Sequence, residues 1–172
     1  MSQIKLSPKK YITTKCRLLP IHECYISESW KETMFAHIMV TRRMKSGNFC
    51  VGFFLVDLFC SGVKDTFFKF NLLPSDYEEM KRDLITDYDD EKFQKVDYTL
   101  VHNIIYEAVA FANDAGIMPH KDFGIVKHFL EEDNDAIEVI DIPVGCEDDG
   151  LPLVFSSPMQ PNNDLIVKLK KN

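Results

Sequence analysis

Asn48–Phe70, NFCVGFFLVDLFCSGVKDTFFKF, is the stretch whose reading decides the fold. Its apolar residues are mostly aromatic and β-branched, and its only charges are Asp57, Lys64, Asp65 and Lys69. A run of that composition reads as strand. It is too short and too interrupted to cross a bilayer. Ser61-Gly62 divides it, and Lys45-Ser46-Gly47-Asn48 supplies turn chemistry before it. The expectation is a meander of three strands over 36–43, 49–60 and 63–71. Gly52 inside the second strand signals a bulge or a close approach. Asp57 shares a strand face with Val51, Phe53, Leu55 and Phe59. A carboxylate there is costly unless it is hydrogen-bonded or paired. Backbone N–H groups or a cation, with Lys64 nearest in sequence, are the expected partners.

Outward from this stretch the pattern changes. Residues 1–10 are polar and expected to fray, Tyr11–Leu19 has strand composition, and His22–Ile26 resumes extended structure after Pro20. Ser27–Phe35 holds one helical turn, with Trp30 packed into the core. Downstream, Ser75 and Glu78 form a capping box for a helix over 75–87, followed by a solvated acidic linker at Asp87–Glu91. Val101, Ile104, Ile105, Ala108, Phe111 and Ala112 recur at helical spacing, which predicts a helix over 98–115 capped by Asp97 and stopped by Gly116. Asp122 is placed to cap a third helix over 122–132. Weak alternation over 136–144, a turn at Glu147–Gly150 and a return strand over 151–156 read as a closing hairpin. Residues 160–172 are expected to fray. Strands first, helices next and a hairpin last predict one α+β domain spanning 1–172. Its antiparallel sheet, an N-terminal meander plus a C-terminal hairpin, carries about three helices packed on one face.

Composition bounds the function. At 172 residues the chain can bury a sizeable core, and 13 Phe make that core aromatic-rich. The net charge of −7 disfavours generic nucleic-acid binding, although Arg42, Arg43 and Lys45 cluster near one turn. No apolar run has the length of a membrane span or a signal peptide, so a soluble cytoplasmic protein is expected. The five cysteines include no C-x-x-C pair, and Cys50 and Cys60 lie in apolar runs. Reduced, buried thiols fit this better than a disulfide framework. His22 and Cys24 are the only close His/Cys pair, which is too little for structural zinc.

Three pieces, FLVDLFCSGVKD, NIIYEAVAFANDAGIMPHKDF and GCEDDGLPLVFSSP, together resemble an uncharacterised bacterial protein family with LVDxxCxGVKD and GxxPHKDF motifs. The resemblance covers roughly residues 20–160, and its middle pieces are the specific ones. The chain departs from the family pattern, which has glycine at Glu107 and at Ser157 and Gly-Lys-Pro at Gly150-Leu151-Pro152. The resemblance implies one intact domain. It implies no activity.

Chemistry, if any, falls to Asp57, Lys64, Asp65, Asn103, His120, Lys121 and Asp122. Asp57, Asp65, His120 and Asp122 offer the oxygen and imidazole donors that suit Mg²⁺ or Mn²⁺. A metal there would activate water for hydrolysis, nucleic acid included as a substrate. His120 alone has the chemistry of a general base near neutral pH. Each residue also has a plain structural reading: Asp57 as a cap of backbone amides, Lys64-Asp65 as a turn pair, Asp122 as a helix cap. The chain has no G-x-S-x-G, glycine-rich phosphate loop or H-E-x-x-H. The leading expectation is a non-catalytic module that binds another protein or serves as an accessory part of a larger assembly, without a cofactor. The alternative is a metal-dependent hydrolase built on the Asp/His set.

Overall fold

The structure, a computed structural model, describes residues 6–87, 91–146 and 150–152. The deciding stretch forms β3 (Phe49–Asp57) and β4 (Gly62–Leu72), preceded by β2 (Phe35–Arg43). Gly47, at φ +91°, makes the left-handed turn between β2 and β3. β1 (Ile21–Ser27) pairs with the other side of β2, and β5 (Phe93–Val96) pairs with β1. The sheet order is β4-β3-β2-β1-β5 with every neighbour antiparallel, so the fold is α+β. β5 was not expected. It is four residues long and follows an acidic run, so no alternation announces it; the open edge of β1 recruits it.

The period of two sorts the strands into two faces. Ile26, Ile38, Val40, Phe54 and Val56 line the first face, beneath α1 (Pro8–Lys15), α4 (Tyr98–Asp114) and the short α5 (Phe123–Val126). α4 lays Val101, Ile104, Ile105 and Ala108 on it, each fully buried. Burial of a large aliphatic side chain contributes about 1.5–3 kcal/mol. Asp97 caps α4 by accepting from Thr99 N at 2.7 Å. Gly52 is a close-approach glycine: a Cβ there would lie 2.7 Å from Cγ of Phe129. Trp30, in the one-turn α2 (Trp30–Thr33), belongs to the same core.

The second face carries Tyr25, Met39, Phe49 and Val51, and α3 (Pro74–Asp87) packs there through Tyr77, Met80 and Leu84. The expected packing of all helices on one face is thereby corrected. The odd positions of β3 are as apolar as the even ones, and both sides need cover.

Other expectations also give way. Tyr11–Leu19 is not a strand: α1 and a 3₁₀ turn (Cys16–Leu18) occupy it, and residues 8–10, expected to fray, are its first turn. Ser7 accepts from Lys10 N, Pro8 opens the helix, and Ile12 and Cys16, four apart, bury together. The helix over 75–87 starts at Pro74 instead of being capped by Ser75, because Tyr77 N donates to Leu73 O at 2.9 Å. The helix over 122–132 shrinks to α5 and a 3₁₀ turn (Lys127–Phe129), and Asp122 makes no side-chain cap bond. No strand forms over 136–144. Side-chain bonds hold that segment instead: Asn103 Nδ2 donates to Glu138 O at 2.9 Å, and Ile140 N donates to Asn103 Oδ1 at 3.0 Å. Leu151 and Pro152 are not in a strand; the rest of the return strand, the turn residues 147–149 and the tail 160–172 lie outside the described residues.

Arg42 ties the two ends of the described chain together. It is 1% exposed. Its guanidinium donates to Leu19 O at 2.5 Å, Arg17 O at 3.3 Å, Phe129 O at 2.8 Å and Glu131 Oε1 at 2.6 Å. Arg42 is therefore withdrawn from the basic cluster seen in the sequence, of which Arg43 and Lys45 remain exposed.

Candidate functional site

The Asp57 carboxylate faces the turn after β3 and accepts from Phe59 N at 3.0 Å, Cys60 N at 3.2 Å and Ser61 N at 3.2 Å. It is a cap of backbone amides. Lys64 is the extra residue of a β-bulge, since Leu55 pairs with Asp65 and Val56 with Val63. Its Nζ lies 5.3 Å from the centroid of the Phe35 ring. Asn103 serves the 136–142 segment, as above. Lys121 is exposed.

Asp65, His120 and Asp122 do come together. His120 N donates to Val63 O at 2.8 Å, which lays the loop before α5 along the end of β4. The imidazole then sits with Nε2 3.8 Å from Asp65 Oδ1 and Nδ1 4.0 Å from Asp122 Oδ2. The two carboxylate side chains are 63% and 45% exposed, so water screens the cluster. Among the described residues no three His, Cys, Asp or Glu side chains are grouped to hold a metal ion.

The four buried thiols, Cys16, Cys24, Cys50 and Cys60, are poor nucleophiles. Burial pushes Cys16 and Cys24 up to about 12 and Cys60 up to about 11, and it raises Cys50 as well. All five cysteines are free. His102 is buried between the Tyr98 and Tyr106 rings, and burial lowers its pKa, which favours the neutral form.

A concave, mainly apolar feature lies on the second face of the sheet. α3 covers the Met39–Phe49–Val51 end of that face and stops short of the other. There a hollow of about 150 Å³ opens, walled by Phe53, Leu55, Phe67, Leu84 and Phe93. Phe53 and Phe67, paired across β3 and β4, stack with centroids 4.6 Å apart. Phe67 is 51% exposed. Asp65 and His37 form the polar rim. His37 Nδ1 lies 2.6 Å from Glu91 Oε2, and Glu91 Oε1 accepts from Ser29 Oγ at 3.0 Å. The signal for this groove in the sequence is that β3 is apolar on both faces, and α3 alone packs on the second.

Beside the groove, a polar network docks α3 on the sheet. Tyr77 donates to Glu23 Oε1 and lies 3.2 Å from Thr41 Oγ1. Lys81 reaches Glu23 Oε1 at 3.0 Å and Lys95 reaches Glu23 Oε2 at 3.1 Å. Burial alone would raise the Glu23 pKa; the bonds from Tyr77, Lys81 and Lys95 outweigh it and hold the carboxyl down to about 2. Every member has a partner, so the network stabilises α3 and presents no open chemistry.

Among the described residues no helix is long and apolar enough to cross a membrane. Compared with known proteins, the chain matches no family model, no curated protein and no solved structure.

Proposed function

We propose that this chain is a non-catalytic interaction module whose second-face groove takes an apolar side chain from another protein. The observation that carries the reading is the half-covered face: an aromatic and aliphatic hollow left open where α3 ends. Contiguous exposed apolar surface with a polar rim is characteristic of protein contacts. Asp65 at the rim, 63% exposed, favours a partner segment with a basic residue beside its apolar side chain. The five free thiols suit a reducing, cytoplasmic setting.

Peptides selected from a random library on the immobilised protein test this. They should converge on an aromatic or large aliphatic residue flanked by Lys or Arg. Leu55→Glu, which puts a charge in the groove wall, should lose them by at least roughly tenfold in affinity without a change in melting temperature. Selected peptides that bind this variant as well as the parent would overturn the reading.

One observation favours a second reading, a metal-dependent hydrolase: His120 lies between Asp65 and Asp122. In that reading Mg²⁺ or Mn²⁺ takes the Asp122 carboxylate and the His120 Nδ1 that faces it, with water completing its shell. Mn²⁺ should then raise the melting temperature of the parent and leave that of Asp122→Asn unmoved. Equal curves for both, with and without Mn²⁺, would remove it.

A further inference from the structure

β4 closes the sheet on one side and, at Gly62–Leu72, is its longest strand. An edge of that length offers a row of N–H and C=O groups to another strand. Among the described residues, the backbone bond from His120 N to Val63 O is made at the end of this edge, and no backbone group outside β3 pairs with Lys64–Phe70. Asp65, Phe67 and Lys69 project on the second face, all exposed.

Lysines on an edge strand ordinarily guard it against pairing. Here the order of charges makes the edge complementary to itself. A twofold axis perpendicular to the sheet runs the two strands antiparallel and keeps like face beside like face. Phe67 is the midpoint of Gly62–Leu72. When the axis passes beside it, Phe67 meets the copy's Phe67, and Asp65 meets the copy's Lys69 at both ends of the seam. Registers centred on Asp65 or on Lys69 set like charges opposite each other. The register that brings opposite charges together is the same one that uses the whole strand.

We propose that a second copy of this chain docks on the β4 edge, Lys64–Phe70 against Lys64–Phe70, so that two five-stranded sheets become one continuous sheet. The ladder supplies the backbone bonds, the two Asp65–Lys69 pairs fix the register, and the exposed Phe67 rings cover each other. The seam shares Asp65 and Phe67 with the groove, and Lys69 does not line the groove, so Lys69→Asp tests the seam separately from the groove reading.

Sedimentation equilibrium tests it, with melting curves confirming that each variant folds. The parent should be a dimer. Lys69→Asp sets two carboxylates opposite each other at both ends, and Asp65→Lys sets two ammonium groups there. Each should weaken the dimer roughly tenfold or more. The double variant Asp65→Lys/Lys69→Asp restores opposite charges and should restore the dimer. Phe67→Glu, which brings two carboxylates together on the axis, should give a monomer and serves if either single swap fails to fold. A monomeric parent, a dimer that ignores both single swaps, or a double variant no tighter than the singles would each overturn the proposal.

Discussion

Asp57 ends β3 at the point where the chain must turn, and its carboxylate takes the N–H groups of Phe59, Cys60 and Ser61. The residue is 5% exposed, so a side chain that cannot accept leaves those donors without a partner. Asp57→Ala should cost about 1–3 kcal/mol in urea unfolding. Asp57→Asn keeps one acceptor oxygen and should cost less. Equal stability of parent and both variants would mean that water reaches the turn. Asp57 was legible in the sequence because a carboxylate among apolar neighbours demands donors, and amides were one of the two sources available. Asn103 was not legible. Its spacing on the helix is ordinary, and its partners Glu138 and Ile140 are set by where the later chain lies. The thiols give a further test at this scale. Cys16, Cys24, Cys50 and Cys60 are buried, whereas Cys146 is partly exposed. A thiol reagent should label Cys146 first and the other four only on unfolding; rapid native labelling of Cys50 and Cys60 would show β3 and its turn to be open.

Among the elements, α3 depends most on one polar contact. Glu23 has a folded pKa of about 2 against an ordinary value of 4.5. A carboxyl with a depressed folded pKa contributes stability that is present above its unfolded value. That stability is lost as the pH falls from about 4.5 toward about 2. The parent should therefore lose stability to acid across this window, and Glu23→Gln should lose less across it, starting from a lower stability at neutral pH. Tyr77→Phe removes one donor to the carboxylate, which raises the folded pKa, so its loss should begin at the same pH, end at a higher one and be smaller in total. Urea unfolding at a series of pH values checks both; identical slopes in all three proteins would mean that Glu23 is solvated. The same scale shows why α1 and β5 were misread. Thr13 and Thr14 bias a short segment toward strand, but their hydroxyls bond back to the Lys9 and Lys10 carbonyls and fit the helix. For β5, the pattern is shorter than one clear alternation, and pairing with β1 decides it. The meander was legible from its aromatic and β-branched composition and the turn residues between its strands, and α4 from its long helical period and its cap.

For the molecule as a whole, the question is what joins the N-terminal helix and the segment after α5 to the sheet. Arg42 is the common element. It leaves β2 on the first face and gives donors to Arg17 and Leu19 on one side and to Phe129 and Glu131 on the other. Those two segments lie more than a hundred residues apart in sequence, 113 between Arg17 and Leu130, which are themselves hydrogen-bonded at 2.8 Å. A buried guanidinium is expensive to desolvate, and its planar fork offsets that only when its donors are all used. Arg42→Ala should cost about 3 kcal/mol or more, from stranded carbonyls together with the cavity. Arg42→Met fills much of the space and isolates the polar part. Its expected signature is local: amides of α1 and of 127–131 should exchange hydrogen faster, while those of β2 and β3 keep their protection. Replacement of a buried charge by an apolar side chain is sometimes neutral, so the melting temperature alone does not decide the matter. If Arg42→Met leaves the exchange of both segments as slow as in the parent, apolar packing joins the ends of the chain and the guanidinium does not.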